Sequence, residues 1–309
     1  MYSENRARDV VLFTKAVLSN QLARFAPSAY VRLTRQTGRG DRSEETPEKI
    51  ADYFRTCFRD YQRQLGHDDT AFAQYLQGKR VLEYGPGNVL GMALLLYAHG
   101  AAAVDCHDRF PLLASSDETV RVYARLLESL SGAPRARAAS AFVEAGNPAS
   151  GFDPAAIAYH VSPDGLSGAS RAYDLILSRA VLEHVDNLHG TVRDVAAALK
   201  PGGLSIHEVD LRSHGLDRYQ AFDFLTWPEA FYRLMFSEKG FPNRRRVNTY
   251  RELFEQAGLR IRKLEPTARL PPEKVALIEP HLAASLRGVS RDELGWMGFW
   301  VVVEPARAS

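Results

Sequence analysis

Cysteine is scarce in this chain: Cys57 and Cys106 are the only two among 309 residues. Two cysteines cannot form a disulfide framework, so they read as small buried residues in a reducing compartment. Long hydrophobic runs are missing too. None approaches the ~20 residues that a membrane span needs. The N-terminal 1–24 stretch has apolar residues, but Arg6, Arg8, Asp9, Lys15 and Arg24 interrupt it. That excludes the ordered regions of a signal peptide and leads to a cytoplasmic expectation. A strong charge of one sign is also absent. The net charge of +2 gives no global attraction to nucleic acid or to an anionic membrane. There is no repeat and no low-complexity tract. What remains is ordinary globular composition, with 45% hydrophobic and 25% charged residues. The length suits one large α/β domain with additions, or two domains.

Residues 1–79 read as helical. Val10 to Phe13, Val17, Leu18 and Leu22 recur at helical spacing. A polar stretch follows at 37–46. Pro47 then opens a helix with Ile50, Phe54, Phe58, Tyr61 and Leu65 along one face. From about residue 79, strands and helices alternate. Strands are expected at 80–83, 102–106, 173–178, 204–209, 259–264 and 299–303. A further strand falls either at 142–144 or at 157–161. Helices are expected from 180 to 185, at 191–199 before Pro201-Gly202-Gly203, and at 250–257 before Gly258. This alternation predicts a mostly parallel sheet covered on both faces. Segments 211–249 and 266–297 fall outside it and read as a lid or substrate-binding insertions. The expected division is a helical substrate cap at 1–74 and a cofactor-binding domain at 75–309.

The run Val81-Leu82-Glu83-Tyr84-Gly85-Pro86-Gly87 reads as a buried strand entering a glycine turn, with a helix over 89–97. Glycine lets the backbone approach a ligand, and the helix that follows directs free N–H groups there. A nucleotide-like cofactor is the implication. A dinucleotide fingerprint reads G-x-G-x-x-G, whereas here the third glycine, Gly91, falls one position late. Asp108 lies about 20 residues beyond the glycines, where a carboxylate binds a ribose diol. Asp105 competes with it from inside the strand. Asp164 follows the strand at 157–161, placed to accept from an adenine amino group. Then come Tyr173-Asp174-Leu175-Ile176-Leu177-Ser178-Arg179-Ala180-Val181-Leu182-Glu183-His184-Val185 and Leu199-Lys200-Pro201-Gly202-Gly203-Leu204.

With these three motifs in order, the chain resembles the class I S-adenosylmethionine-dependent methyltransferases over about 75–265 plus the final strand. The resemblance implies an α/β fold with a Rossmann-like, doubly wound, seven-stranded sheet whose last strand is antiparallel. A helical extension precedes it, and a helical lid is inserted. It implies Glu83, Gly85 and Gly87 beside the methionine part of S-adenosylmethionine, Asp108 on the ribose and Asp164 near the adenine. Tyr84, Arg109, Ser178 and Arg179 are the further cofactor-binding candidates.

Methyl transfer from a sulfonium needs no nucleophilic serine or cysteine, but a hydroxyl acceptor is helped by a base. The base candidates are His207, Asp210 and His214, with Glu208 beside them. The competing reading makes His207 a hydrogen-bonded core residue and His214 a loop residue. His, Asp and His in a short span also suit Zn or Fe, but no other part of the sequence supplies a matched ligand set, and no metal is expected. His184 reads as a residue packed near the cofactor rather than a catalyst. Trp227 and Phe231 read either as core or as an apolar wall for the acceptor. Arg245, within Arg244-Arg245-Arg246, reads either as a solvated face or as a clamp for a carboxylate, phosphate or sugar acid. The expected activity is O-methylation of a small molecule in bacterial specialised metabolism, by a monomer or homodimer. Nitrogen, carbon or sugar acceptors are alternatives. An NAD-dependent oxidoreductase or a non-catalytic scaffold are readings of other classes.

Overall fold

The computed structural model describes residues 6–34, 46–239 and 242–306. The polar stretch at 37–46 lies, apart from Thr46, outside them. The chain begins with α1 (Arg6–Phe25) and α2 (Pro27–Thr34), followed by α3 (Pro47–Gln64) and α4 (Asp69–Leu76). Thr46 caps α3 by accepting from the Lys49 N–H, and Pro47 takes the first turn, where its missing N–H costs nothing. Ile50, Phe54, Cys57, Phe58 and Tyr61 form its buried stripe.

The alternating region then runs β1 (Arg80–Tyr84), α5 (Gly91–Ala98), β2 (Ala103–Asp108), α6 (Asp117–Glu128), α7 (Gly132–Ala139), β3 (Ile157–Val161), β4 (Tyr173–Arg179), α8 (Leu188–Ala198) and β5 (Leu199–Asp210). It continues with α9 (Glu229–Phe236), α10 (Val247–Gln256), β6 (Leu259–Arg269), α11 (Pro272–Ile278), α12 (Arg291–Leu294) and β7 (Trp296–Pro305). The sheet has seven strands in the order β3-β2-β1-β4-β5-β7-β6. β1 is parallel to β2 and β4, β2 is parallel to β3, and β6 pairs antiparallel with β7. This is the Rossmann-like arrangement, its sheet mixed because β6 and β7 run antiparallel. No described helix is long and apolar enough to cross a membrane.

The structure decides the open choice of third strand in favour of Ile157–Val161, which pairs along its length with β2. Phe142 instead makes one isolated bridge to Phe152, and their rings stack at 4.8 Å. The expected helix over 180–185 is only a short 3-10 turn, Leu182–His184. Pro201-Gly202-Gly203 lies within β5 rather than before it, because the chain turns extended as soon as α8 ends. β6 and β7 reach further into the second insertion than expected, and a register shift absorbs Pro266.

Packing divides the chain into two compact units. One comprises Met1–Thr34, Arg179–Arg193 and His207–Ser309, and the other Arg35–Ser178 and Asp194–Ile206. In the first, Ala16 of α1 is buried with Phe224, Tyr232, Met235 and Ile278. In the second, α3 packs on α5.

Candidate functional site

In the unit containing β1 to β3, alternation along β1 sends Glu83 and Tyr84 to opposite faces. Glu83 is buried and its Oε2 accepts from the Cys106 thiol at 3.7 Å. Burial raises its carboxyl to about 8, so it is protonated at neutral pH. The chain then turns through Gly85 (φ 62) and Gly87 (φ 77), a conformation that side chains with a Cβ resist. The Gly85 N–H donates to the His107 carbonyl at 2.8 Å, and the Ala114 N–H donates to the Asn88 carbonyl at 3.2 Å. Gly91 serves packing: a Cβ there would stand 2.4 Å from the Phe54 ring. That accounts for its late position in the motif.

Asp108 ends β2 in a buried position. Its Oδ1 accepts from the Phe110 N–H at 3.1 Å, while its buried Oδ2 has no hydrogen-bond partner among the described residues. Burial raises this carboxyl to about 6. A buried acceptor without a donor is costly, and a diol hydroxyl would satisfy it. Around it the backbone is fixed. The Tyr159 hydroxyl donates to the Phe110 carbonyl at 3.0 Å and accepts from the Leu112 N–H at 3.1 Å. The Ser162 N–H donates to the Asp108 carbonyl at 3.0 Å, and a Cβ on Gly165 would lie 3.6 Å from the Arg109 Cβ. Asp164, in that same turn, is exposed and accepts from the Leu166 N–H. The structure therefore brings Gly85, Gly87, Asp108, Arg109 and Asp164 to the adjoining ends of β1, β2 and β3. Ser178 is fully buried and in register with Tyr84. The Tyr84 hydroxyl is engaged by Asp194 and Ser167, and Asp194 also accepts from the N–H groups of Ser167 and Gly168. The glycine turn and the orphaned Asp108 oxygen fit the adenosyl cofactor.

In the other unit a second group of polar side chains follows β4 and β5. Arg179 Nε donates to Glu208 Oε2 at 2.8 Å and its guanidinium lies over Trp300. Ala180 is left-handed (φ 52), and so is His214 (φ 48), an uncommon state for residues with a Cβ. The 3-10 turn between them is held by Asn243. Its Nδ2 donates to the Leu182 and Val185 carbonyls, both at 2.9 Å, and its own N–H donates to the Glu183 carbonyl at 2.6 Å. Glu183 is buried, and neither carboxyl oxygen is hydrogen-bonded among the described residues. Burial holds its carboxyl well above the usual range. His184 Nε2 stands 3.9 Å from Glu183 Oε1, and its ring meets that of His214 edge-on at 4.8 Å.

Asp210, the last residue of β5, has its Oδ2 3.7 Å from His214 Nε2. Burial works to raise the Asp210 carboxyl, but hydrogen bonds from Arg212 outweigh it and keep it below its ordinary value. Burial lowers His214 against the pull of Asp210. The buried Arg246 donates to the carbonyls of Leu211 (3.2 Å), Leu294 (2.9 Å) and Trp296, fixing the backbone just after Asp210. His214 also lines a cavity of about 710 Å³ with Val11 and Leu12 of α1 and the basic residues Arg8, Lys15 and Lys239. Lys239 Nζ donates to the Ala16 carbonyl and Ser19 Oγ, and burial lowers it to about 7.

The remaining candidates lie elsewhere. His207 is fully buried, 5.9 Å from Phe254, and burial lowers it to about 3, so it is neutral at working pH. Trp227 stacks on Phe13 of α1 and carries the Arg218 guanidinium at 4.5 Å; Phe231 meets Phe13 edge-on and is half exposed. Neither lines the cavity beside His214. Of the three consecutive arginines, Arg244 and Arg246 are buried and spend their donors inside the protein. Arg244 reaches the Trp227 carbonyl and Glu229. Only Arg245 is exposed. Neither Asn243 nor Tyr159 stood out in the sequence, because their partners are distant along the chain. Glu183 had one visible signal, a carboxylate set between the apolar Leu182 and His184.

Residues 51–264, more than half of the chain, match the family described as "Methyltransferase domain". No curated protein matches in sequence. Among solved structures, the chain is similar to an S-adenosylmethionine-dependent methyltransferase from Mesorhizobium loti (19% identity, 74% of this chain and 91% of that one, TM-score 0.40). It is similar as well to a TehB-like S-adenosylmethionine-dependent methyltransferase from Corynebacterium glutamicum (12% identity, 83% and 98%, TM-score 0.37). A third is the trans-methyltransferase CalH in complex with SAH (14% identity, 77% and 54%, TM-score 0.40). By its family match and its sheet, this chain belongs to the methyltransferase-domain family and is an S-adenosylmethionine-dependent methyltransferase.

Proposed function

We propose that the chain methylates an oxygen of a small-molecule acceptor, in a biosynthetic step, and that the acceptor occupies the cavity beside α1. One observation carries this reading. His214, with Asp210 at 3.7 Å, forms part of the wall of a cavity that combines apolar α1 side chains with Arg8, Lys15 and Lys239. Such a wall suits an acceptor with an apolar body and an anionic group. S-adenosylmethionine, when bound, supplies a methyl group already activated on a sulfonium. The chain's own residues then have three tasks. Gly85, Gly87 and Asp108 hold the cofactor. α1 and α2 act as a substrate cap over the acceptor. The cluster that follows β4 and β5, with His214 and Asp210 in it, meets the acceptor hydroxyl and accepts its proton as the oxygen bonds to the methyl carbon and the sulfur departs as a neutral thioether. His207 stays in this scheme as the buried support of β5.

The test is a panel of hydroxylated aromatic and aliphatic acids incubated with methyl-labelled S-adenosylmethionine, with products identified by mass spectrometry. His214→Ala and Asp210→Asn are expected to lower kcat about 100-fold or more, the scale of a lost acid–base group, with the cofactor Kd within twofold of wild type. Undiminished kcat in both variants removes this cluster from the reaction. A methylated nitrogen or carbon in the product removes the oxygen assignment.

A further inference from the structure

Three side chains of metal-ligand type converge where β4 and β5 end. One carboxylate oxygen of Glu183 and one imidazole nitrogen each of His184 and His214 lie within 4.8 Å of one another. The sequence led to no metal, because Glu183 and His184 come from one segment and Asp210 and His214 from another. Only the fold joins them.

Glu183 supplies an independent observation. It is 1% exposed, neither of its oxygens has a hydrogen-bond partner among the described residues, and Oε1 lies 3.9 Å from His184 Nε2. An unpaired carboxyl in that position costs stability that glutamine or an apolar residue would spare. A bound cation reverses the cost, since it neutralises the charge and takes the lone pairs. Ligand atoms about 2.1 Å from one ion, at the angles of an open tetrahedral or octahedral site, stand about 3.0–3.4 Å apart, so the cluster closes by up to about 1.5 Å across its widest pair when the ion binds. Asn243 fixes the backbone of Glu183, as its three hydrogen bonds to the 182–185 turn show. Asp210, 3.7 Å from His214 Nε2, is the carboxylate that orients a ligating imidazole.

We propose that Glu183, His184 and His214 bind a divalent transition-metal cation such as Fe²⁺, Mn²⁺ or Zn²⁺, the ions that a two-histidine, one-carboxylate set suits. Three protein ligands leave positions open, and His214 faces the cavity. The cation's role there rests on the oxygen-methylation reading. It polarises the acceptor hydroxyl and lowers its pKa, so that at neutral pH the proton passes to solvent, with His214 acting as a ligand rather than as the base.

The test uses the full chain, stripped with a chelator and dialysed. It is titrated with Mn²⁺ and Zn²⁺ by calorimetry, with Mn²⁺ electron paramagnetic resonance in parallel. One equivalent of metal is expected. His184→Gln and His214→Gln are each expected to weaken binding at least tenfold, with S-adenosylmethionine affinity within twofold of wild type. Glu183→Gln is expected to do the same; because Glu183 is buried, the two half-buried histidines keep the test readable if that variant fails to fold. No binding by the stripped wild type, or binding undiminished in both histidine variants, overturns the site. Full methyl transfer by the stripped protein overturns the cation's part in the reaction and leaves the oxygen-methylation reading standing. Metal binding that follows the variants, with no oxygen methylation of any acceptor, supports the site and removes that reading instead.

Discussion

In the unit that carries β1 to β3, the polar groups of the cofactor cradle sit where strand rules put them. Glu83 and Asp108 end adjoining strands, the glycines turn where left-handed backbone is needed, and the fixing bonds come mostly from the next strand end. In the unit that carries α1 and the 182–184 turn, the candidate acceptor groups are held differently. Asn243 reaches back across about 60 residues to grip the turn, Arg246 ties Leu211 to Leu294 and Trp296, and Ala180 and His214 adopt left-handed backbone without being glycine. The contrast teaches that the proposed cofactor half is built from local strand and turn geometry, whereas the proposed acceptor half depends on a particular set of long-range buried hydrogen bonds.

The comparison breaks most readily at Asp108. Replacing it with alanine removes charge-assisted hydrogen bonds worth about 1.5–3 kcal/mol each, so calorimetry should find S-adenosylmethionine binding weakened roughly 100-fold. A loss under threefold would mean that the cradle is misassigned. Asn243→Ala probes the other half. It leaves two carbonyls unpaired, and urea unfolding should show a loss of about 2–3 kcal/mol. It should also reduce kcat while leaving the cofactor Kd near wild type. Equal effects on kcat and cofactor binding would erase the distinction drawn between the two units. Gly91→Ala tests whether that glycine serves packing. Overpacking against Phe54 should cost about 1–3 kcal/mol, and most of that cost should vanish in a Phe54→Ala background. A penalty independent of Phe54 would return Gly91 to the ligand.

The smallest effects are those of pH. In the proposed cofactor site Asp108 would bind the diol as a carboxylate, and burial raises it to about 6. The cofactor Kd should therefore rise as pH falls through 6, approaching tenfold per pH unit, and Asp108→Asn should flatten the curve. Glu83 is raised from 4.5 to about 8, so between those values the native state holds a proton that the unfolded chain releases. Its contribution to stability is thus full below 4.5 and is lost as pH climbs toward 8. Thermal melts of Glu83→Gln should lose that part of the slope, whereas an unchanged slope would place the proton on another group.

Most of the sheet was legible in advance, because apolar runs of strand length and glycine or proline stops depend only on neighbours in the chain. The exceptions are instructive. Phe142 reads as strand but is drawn into an aromatic cluster with Tyr123 and Phe152, and the segment after Ala180 reads as helix but closes as one 3-10 turn clamped by Asn243. His207 has the sequence signature of a base, yet it faces Phe254 with no exposure. Arg244 and Arg246 look like a surface cluster but are buried among carbonyls.

By itself the sequence determined the Rossmann-like class, the glycine turn and the carboxylate that follows β2. Each is encoded in backbone conformational preference and in side-chain alternation over a few residues. Only the tertiary structure decided that Glu183 and His184 face His214, that Gly91 yields space to Phe54, and that two of three arginines are internal. Those facts depend on which buried donors find which acceptors across long stretches of chain, and no short window of sequence records that choice.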